Sequence, residues 1–260
     1  MNPLDERQLA GYLFWKGVRG FFRRLFGRFI YSADERAIMD LFDDGCALQV
    51  QGKAREAIAA YDGIVQRFGS SDAPRIRKLI AKTLLNKSFT LWGLGKREEA
   101  IAVCDDLDRR FGNDESPDMR EIVADALSIK DMALWHDTNK RIAVDDEIIQ
   151  RFGSDKSPGI RERVAEALFH KGYALECSNK VEDAIAIYDE LVQRFGDDKS
   201  PGVREAVAGT LITKGIALKN QGKTGDAIAV YDDIVHRFSN DRLLGRIVAK
   251  AQEYRKSLTE

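Results

Sequence analysis

Residues that could carry out nucleophilic, acid–base or metal chemistry are few and widely separated in this chain. Its 260 residues contain three histidines and three cysteines. These are His136, His170, His236, Cys46, Cys104 and Cys177. The histidines follow no spacing typical of a metal site, and we interpret the pair Cys177 and His136 as coincidental rather than as a nucleophile with its base. The sequence therefore predicts no catalytic residue, no metal ion and no cofactor, and indicates a protein that is not an enzyme.

Composition and charge exclude further classes of function. The formal net charge is −1, so no global field attracts nucleic acid. Three cysteines without a pairing pattern are typical of a reducing compartment. No apolar run reaches the roughly 18 residues of a membrane span, and Asp5 and Glu6 are atypical of a secretory signal. We expect a cytoplasmic protein, with peripheral attachment to a membrane as the alternative.

A single pattern organises most of the chain. An Arg-Phe pair occurs at Arg67-Phe68, Arg110-Phe111, Arg151-Phe152, Arg194-Phe195 and Arg237-Phe238. Successive phenylalanines are 43, 41, 43 and 43 residues apart, and a fixed period in this range indicates stacked repeats.

Each repeat has the pattern of two helices. In residues 161–196, apolar residues recur at three- and four-residue steps in two segments, which Ser178-Asn179-Lys180 separates. Ser157 and Pro158 precede the first segment as helix cap and first helical residue. Gly196 is expected to end the second helix in the left-handed conformation.

The apolar residues of the fourth repeat carry a family resemblance. Leu168-x3-Gly172-x2-Leu175, followed by Ala184-x3-Tyr188, resembles the tetratricopeptide repeat, with Leu where that family often has Trp. The fifth repeat matches this pattern well, the first is close, and the second has Ser88 for Gly and Cys104 for Tyr. The resemblance covers about residues 33–258, although the family's unit of about 34 residues is shorter. We attribute the extra residues to an RFG-x-D-x-S-P loop and an added helical turn.

The resemblance implies an all-α fold, a right-handed α-solenoid of five helical hairpins within residues 32–240. The expected hairpins are residues 32–69, 74–112, 117–153, 158–196 and 201–239. Residues 241–260 form the predicted C-terminal capping helix, with its helical part at 241–258.

The third repeat is irregular. Asp131 and Asp145 replace its Gly and Tyr, and it is two residues shorter. We expect the missing residues to come from the inter-helix turn, because their loss from a helix would rotate the remainder of that helix by about 200°. A buried carboxylate is costly, so Asp145 is expected to be solvated or paired with a basic residue. This hairpin is either merely degenerate or shaped for binding.

Residues 1–31 lie outside the repeats, and their pattern of apolar and basic residues predicts an amphipathic cationic helix. They hold six Lys or Arg and two Asp or Glu, a net charge of +4, which leaves −5 for the remainder. One face is aromatic and apolar and comprises Phe14, Trp15, Val18, Phe21, Phe22, Leu25, Phe26 and Phe29. The other face is basic and comprises Lys16, Arg19, Arg23, Arg24 and Arg28. Three interpretations remain open: a cap on the first repeat, a helix that uses residues 9–31 to bind an anionic membrane surface, and a docking helix for a partner or a second copy of the chain.

In the tetratricopeptide family the first helices line a concave surface, and this implies a binding groove. Family members that clamp a peptide's terminal carboxylate present Lys, Arg and Asn there, whereas apolar and aromatic side chains dominate here. Helix packing accounts for part of the set. The predicted groove residues are Phe42, Phe89, Trp92, Met132, Trp135, His136, Phe169 and Tyr173.

These observations predict a scaffold or adaptor that binds a hydrophobic or helical segment of a protein in this groove. The N-terminal helix is itself such a segment, so occupancy of the groove by the chain itself is a further hypothesis. Two alternatives remain: a membrane-tethered assembly factor that acts through its N-terminal helix, and an accessory subunit of a larger enzyme complex.

Overall fold

The computed structural model describes residues 31–259, and every regular element in that range is an α-helix. The all-α prediction is therefore confirmed, whereas the predicted helix in residues 1–31 lies almost entirely outside the described residues. The eleven helices of the described part are α1 (Ala33–Val50), α2 (Ala54–Phe68), α3 (Pro74–Gly93), α4 (Arg97–Phe111), α5 (Pro117–Ala133), α6 (Thr138–Phe152), α7 (Pro158–Cys177), α8 (Val181–Phe195), α9 (Pro201–Asn220), α10 (Thr224–Phe238) and α11 (Gly245–Thr259).

The chain divides into two compact units, Met1–Ala133 and Leu134–Glu260. We call them the N-terminal and C-terminal units. In the N-terminal unit, α1–α2 and α3–α4 are hairpins, α5 packs on α4, and the first helices α1, α3 and α5 contact one another in sequence. In the C-terminal unit, α7–α8 and α9–α10 are hairpins, α6 packs on α7, and α7 contacts α9. Both units therefore have the stacked hairpins of an α-solenoid.

A glycine and a tyrosine hold the two helices of a hairpin close together. Tyr188 on α8 is completely buried, and a Cβ atom added at Gly172 on α7 would overlap its ring. Gly45 and Gly215 face Tyr61 and Tyr231 in the same way.

The second hairpin uses a different pair of residues. In this hairpin Ser88 packs with Cys104. Because Cys104 is smaller than the tyrosine of the other hairpins, position 88 has room for a side chain larger than that of glycine. Burial raises the pKa of the Cys104 thiol to about 11, which makes it an inert core residue.

The loop between repeats is built around one aspartate. Asp198 accepts hydrogen bonds from the Ser200 backbone N–H at 2.8 Å and from Arg161 at 2.6 and 2.8 Å. The Arg161 guanidinium also lies over the Phe195 ring, 4.9 Å from its centroid. Arg204, Phe238 and Asp241 repeat this arrangement. This arrangement ties the first helices α7 and α9 to the loops that follow their hairpins.

Of two local predictions about helix ends, Ser157 as the N-cap residue of α7 is confirmed and the left-handed Gly196 is wrong. Ser157 is the N-cap residue of α7, but its hydroxyl donates to Asp155 at 2.8 Å instead of capping the helix. Gly196 has φ −55, a right-handed conformation, so the predicted left-handed ending is wrong. It is glycine for another reason: a Cβ there would lie 2.5 Å from the Val192 carbonyl oxygen and 2.8 Å from the Arg237 guanidinium. Arg237 donates to the Gly196 carbonyl, which links consecutive repeats.

The third repeat also departs from expectation. Helix α5 has 17 residues, whereas α3, α7 and α9 each have 20. The turn after α5 spans 134–137 and is one residue longer than the turn 178–180. The shortening therefore lies in the helix, and the prediction that the turn lost two residues is wrong. Asp145 is fully buried, which excludes the solvated alternative; its pairing with a basic residue stays a prediction.

The last helix begins later than predicted, at Gly245 instead of Asp241. Asp241 accepts a hydrogen bond from the Leu243 N–H at 2.8 Å and pairs with Arg204 at 2.8 Å, so it belongs to the preceding loop. Helix α11 packs on α10 and α9, burying Val248 and Ala251. Its role as a cap stays a prediction. Of the helices in residues 31–259, none is both long and apolar enough to cross a membrane.

Candidate functional site

The predicted groove residues are divided between the two units. In the N-terminal unit, Phe42 lies on α1, Phe89 and Trp92 on α3, and Met132 on α5, and all four are partly buried. The structure brings Phe89 and Trp92 together, with ring centroids 5.6 Å apart. This pair forms a partly covered aromatic surface at the end of α3.

In the C-terminal unit the predicted residues lie on α7 and in the turn before α6. Phe169 and Tyr173 stack on α7, with centroids 6.4 Å apart and planes 18° apart. Trp135 and His136 were expected on a first helix, but both lie in the turn 134–137 because α5 ends at Ala133. Their rings contact each other.

These aromatic residues differ in how much of each is exposed to solvent. Trp135 is 52% exposed and Tyr173 is 48% exposed. Among residues 31–259, the other exposed large hydrophobic residues are Leu94 and Leu243. Half of this small set therefore comes from the predicted groove, and aromatic side chains in contact with water are suited to binding a partner.

Tyr173 has polar neighbours that raise the pKa of its hydroxyl. A hydrogen bond with Cys177 and the charge of Glu176 raise its pKa, against a smaller opposing effect of Arg141. Cys177 lies one helical turn further along α7, so both residues are on one face. The hydroxyl can therefore act as a hydrogen-bond donor or acceptor at neutral pH.

Two polar residues of the first helices α1 and α7 have a structural role. The Tyr188 hydroxyl donates to Glu176 at 3.0 Å, and the Tyr61 hydroxyl donates to Gln49 at 2.9 Å. In each hairpin the acceptor stands four residues after the glycine that contacts the tyrosine. Because Glu176 and Gln49 satisfy buried hydroxyls, we assign them to the hairpin and not to a partner.

A cavity of about 220 Å³ lies between α7 and α9 in the C-terminal unit. Phe169 forms its apolar wall, and its lining residues also include Glu162, Glu166, Gly202, Glu205, Ala206 and Gly209. Glu166 is paired with Arg163 at 2.6 Å. Among the described residues, Glu162 and Glu205 have neither a hydrogen-bond nor an ion-pair partner. We call this feature the α7–α9 cavity.

The glutamates of this cavity were missed by the sequence analysis. The apolar pattern around the motif glycine does not extend to them, because Glu162 and Glu205 are the fifth residues of their helices. The signal that could have found them is their equivalence across one repeat period. Residues at equivalent positions of neighbouring first helices lie side by side in a stack of hairpins.

Comparisons with known proteins agree with the hairpin geometry. Residues 166–198, which include most of α7 and all of α8, match the tetratricopeptide repeat family model. No curated protein matches this sequence. The crystal structure of BtubC (BKLC) from P. vanneervenii has a TM-score of 0.58 at 13% identity and covers 88% of this chain and 84% of that chain. This similarity concerns the fold alone.

Two further structures are similar at lower scores. TTC0263, a thermophilic tetratricopeptide repeat protein of Thermus thermophilus, has a TM-score of 0.41 at 14% identity and covers 83% of this chain and 98% of that chain. The TPR2AB domain of yeast Sti1, solved in a complex with pHSP90, has a TM-score of 0.41 at 13% identity and covers 98% of each chain.

The family match lies on a hairpin whose glycine–tyrosine contact recurs in α1–α2 and α9–α10. The inter-repeat loops are also built alike around Asp198 and Asp241. The α7–α8 hairpin is thus identified as a tetratricopeptide repeat.

Proposed function

We propose that this protein is a non-enzymatic scaffold that binds a hydrophobic or helical segment of a partner protein on the aromatic surface of its C-terminal unit. The observation that carries the proposal is the exposure of Trp135 and Tyr173, because residues 31–259 bury most of their other large apolar side chains. Aromatic residues of this kind supply much of the binding energy in protein interfaces.

The geometry of α7 supports a helical or extended apolar partner. Phe169 and Tyr173 are one turn apart and stacked, so they present a continuous aromatic surface. Phe169 also lines the α7–α9 cavity, which offers a recess beside that surface. An apolar side chain of a partner can enter such a recess while its neighbours cover the aromatic rings.

Packing beneath the surface keeps Phe169 in place. Leu175, Ala184 and Tyr188 form a buried cluster of α7 and α8, and Phe169 and Ile187 pack against it. A binding surface on a packed helix needs little rearrangement when a partner binds, which lowers the entropic cost of association.

The test is capture of partner proteins by the full-length chain from an extract of its source cells. We expect the double variant Trp135→Ala/Tyr173→Ala to lose the proteins that the unchanged chain retains, because the aromatic contacts are removed. Both residues are about half exposed, so the variant should remain folded.

Leu243→Ala is the matched control, since Leu243 is 81% exposed and lies in the loop before α11. It removes an exposed apolar side chain elsewhere and should capture the same proteins as the unchanged chain. Equal capture by the folded double variant would contradict the proposed function.

A further inference from the structure

Two junctions between neighbouring first helices carry different charges. At the α3–α5 junction of the N-terminal unit, Lys78 is the fifth residue of α3 and forms an ion pair with Asp118, the second residue of α5. At the α7–α9 junction of the C-terminal unit, the same two positions hold Glu162 and Gly202. The first junction therefore contains a cation with its carboxylate, whereas the second contains a carboxylate with no side chain opposite it.

The α7–α9 cavity lies at this second junction. The Glu162 carboxyl group lies so close to Gly202 that a Cβ atom added there would overlap it. Glu162, Glu205 and Phe169 line the cavity beside this contact. A recess with an aromatic wall and two carboxylates is thus present where the N-terminal unit has a salt bridge.

The arginines near the cavity already bind other carboxylates. Three of them lie in the first two turns of α7 and α9, and each forms an ion pair at 2.6 or 2.8 Å with a carboxylate other than Glu162 and Glu205. They are Arg161, Arg163 and Arg204. Among the described residues of the C-terminal unit, none therefore neutralises Glu162 or Glu205 by an ion pair.

The cavity and the aromatic surface lie along one face of α7. Glu162, Glu166, Phe169 and Tyr173 follow one another at steps of four, three and four residues, which places them on the same side of a helix. Phe169 belongs to both features, because its ring stacks on Tyr173 and also lines the cavity. A segment that lies along Phe169 and Tyr173 therefore brings a neighbouring residue to the cavity.

The lining of the cavity suits a long basic side chain. Phe169 and Ala206 supply apolar surface, and the partly buried Glu162 and the exposed Glu205 supply carboxylates. The aliphatic part of Lys or Arg packs on apolar surface, while its charged end remains at the polar edge. Hydrogen bonds between a cation and a carboxylate are stronger than those between neutral groups.

We propose that the α7–α9 cavity binds a basic side chain, lysine or arginine, of the partner segment that covers Phe169 and Tyr173. The charge of the cavity and that of its occupant are complementary, which favours this partner over an acidic one. The inference rests on the proposed function and adds the chemistry of the partner. The partner segment has a basic residue next to the apolar residues that contact the aromatic rings.

The probe for the cavity is butylguanidinium, which has the charged group and an apolar stem of an arginine side chain. Its neutral counterpart is butylurea. In amide NMR spectra of the full-length chain, we expect butylguanidinium to shift the signals of Gly202 and Gly209, which line the cavity. Butylurea should bind at least about tenfold more weakly, because it forms no charged hydrogen bond. Added salt should weaken the binding of butylguanidinium, because Glu205 is exposed.

The variant Glu162→Gln/Glu205→Gln removes the charge of the cavity, and butylguanidinium should bind to it at least about tenfold more weakly. Glu121→Gln is the matched control, because Glu121 is the fifth residue of α5 and lies outside the cavity. It should leave the binding unchanged. Equal binding of butylurea and butylguanidinium, unchanged binding to the folded double variant, or no saturable shift at either glycine would each overturn the proposal.

The capture experiment then links the cavity to the partner. Glu162→Gln/Glu205→Gln keeps Trp135 and Tyr173, and we expect it to retain several-fold less of the captured proteins. Unchanged retention by this folded variant would overturn the assignment of the cavity to the partner. If the cavity binds butylguanidinium but Trp135→Ala/Tyr173→Ala captures as well as the unchanged chain, the proposed function fails while the cation site stands.

Discussion

The α3–α5 junction of the N-terminal unit and the α7–α9 junction of the C-terminal unit show how one architecture yields a closed and an open surface. Lys78 and Asp118 neutralise each other in the first. In the second, Glu162 faces Gly202, which supplies no side chain to pair with the carboxylate. Because the repeat fixes which positions face each other, two substitutions are enough to convert a structural contact into a candidate binding surface.

A substitution in the core of a repeat is expected to have the largest effect on the stability of the C-terminal unit. Gly172→Ala places a Cβ against the Tyr188 ring, and we expect it to reduce the free energy of unfolding by about 1–3 kcal/mol, as for other overpacked cores. Urea unfolding followed by circular dichroism would measure the loss. It would also weaken binding, because Phe169 and Tyr173 depend on the packing of α7.

Gly63→Ala on α2 is the control for this substitution. No atom lies within 4 Å of an added Cβ at Gly63, so the change should stabilise helix α2 by up to about 1 kcal/mol. If Gly172→Ala stabilises the protein as Gly63→Ala does, the close contact between α7 and Tyr188 is contradicted.

Substitution of the loop aspartates is expected to reduce the free energy of unfolding by a smaller amount, and this reduction depends on pH. Burial alone would raise the pKa of the Asp198 carboxyl, but hydrogen bonds from Ser200 and Arg161 outweigh it, so the pKa lies below its usual value. Since the folded state favours the ionised form, its contribution to stability is present at neutral pH and is lost as the pH falls below about 4. We expect Asp198→Asn to cost about 1–2 kcal/mol at pH 7 and little at pH 3.

Asp114 is the equivalent residue in the N-terminal unit and provides the comparison. Its nearest Arg77 nitrogen is 3.8 Å away and its side chain is 30% exposed, whereas Asp198 is 9% exposed. Hydrogen bonds from Ser116 lower its pKa. Asp114→Asn should therefore also reduce the free energy of unfolding at neutral pH, but by less than Asp198→Asn. Unfolding free energies between pH 3 and pH 7 would check both, and a loss that persists at pH 3 would contradict the assigned cause.

Much of this structure is predictable from the sequence, because its determinants are local or periodic. The period of the Arg-Phe pairs and the three- and four-residue steps of apolar residues place the helices of each repeat. The glycine–tyrosine pairing is also predictable, since a large side chain needs a small one opposite it. Ser32 and Glu35 form a capping box at the start of α1, as the Ser-x-x-Glu spacing indicates.

Contacts between repeats were harder to infer. The reason for Gly196 is the Arg237 guanidinium of the next repeat, which is 41 residues away. The position of Trp135 depends on where α5 ends, and the spacing of apolar residues does not determine this. Glu162 and Glu205 gain their significance only when α7 and α9 lie side by side.

The most direct measurement transfers the closed junction to the C-terminal unit. Glu162→Lys/Gly202→Asp reproduces the Lys78–Asp118 pair, and a pair at such a surface contributes only about 0–1 kcal/mol, so stability should change little. The account predicts that this variant remains folded but loses the partner proteins that the unchanged chain captures. Equal capture by the folded variant would contradict the claim that the open α7–α9 junction is a binding surface.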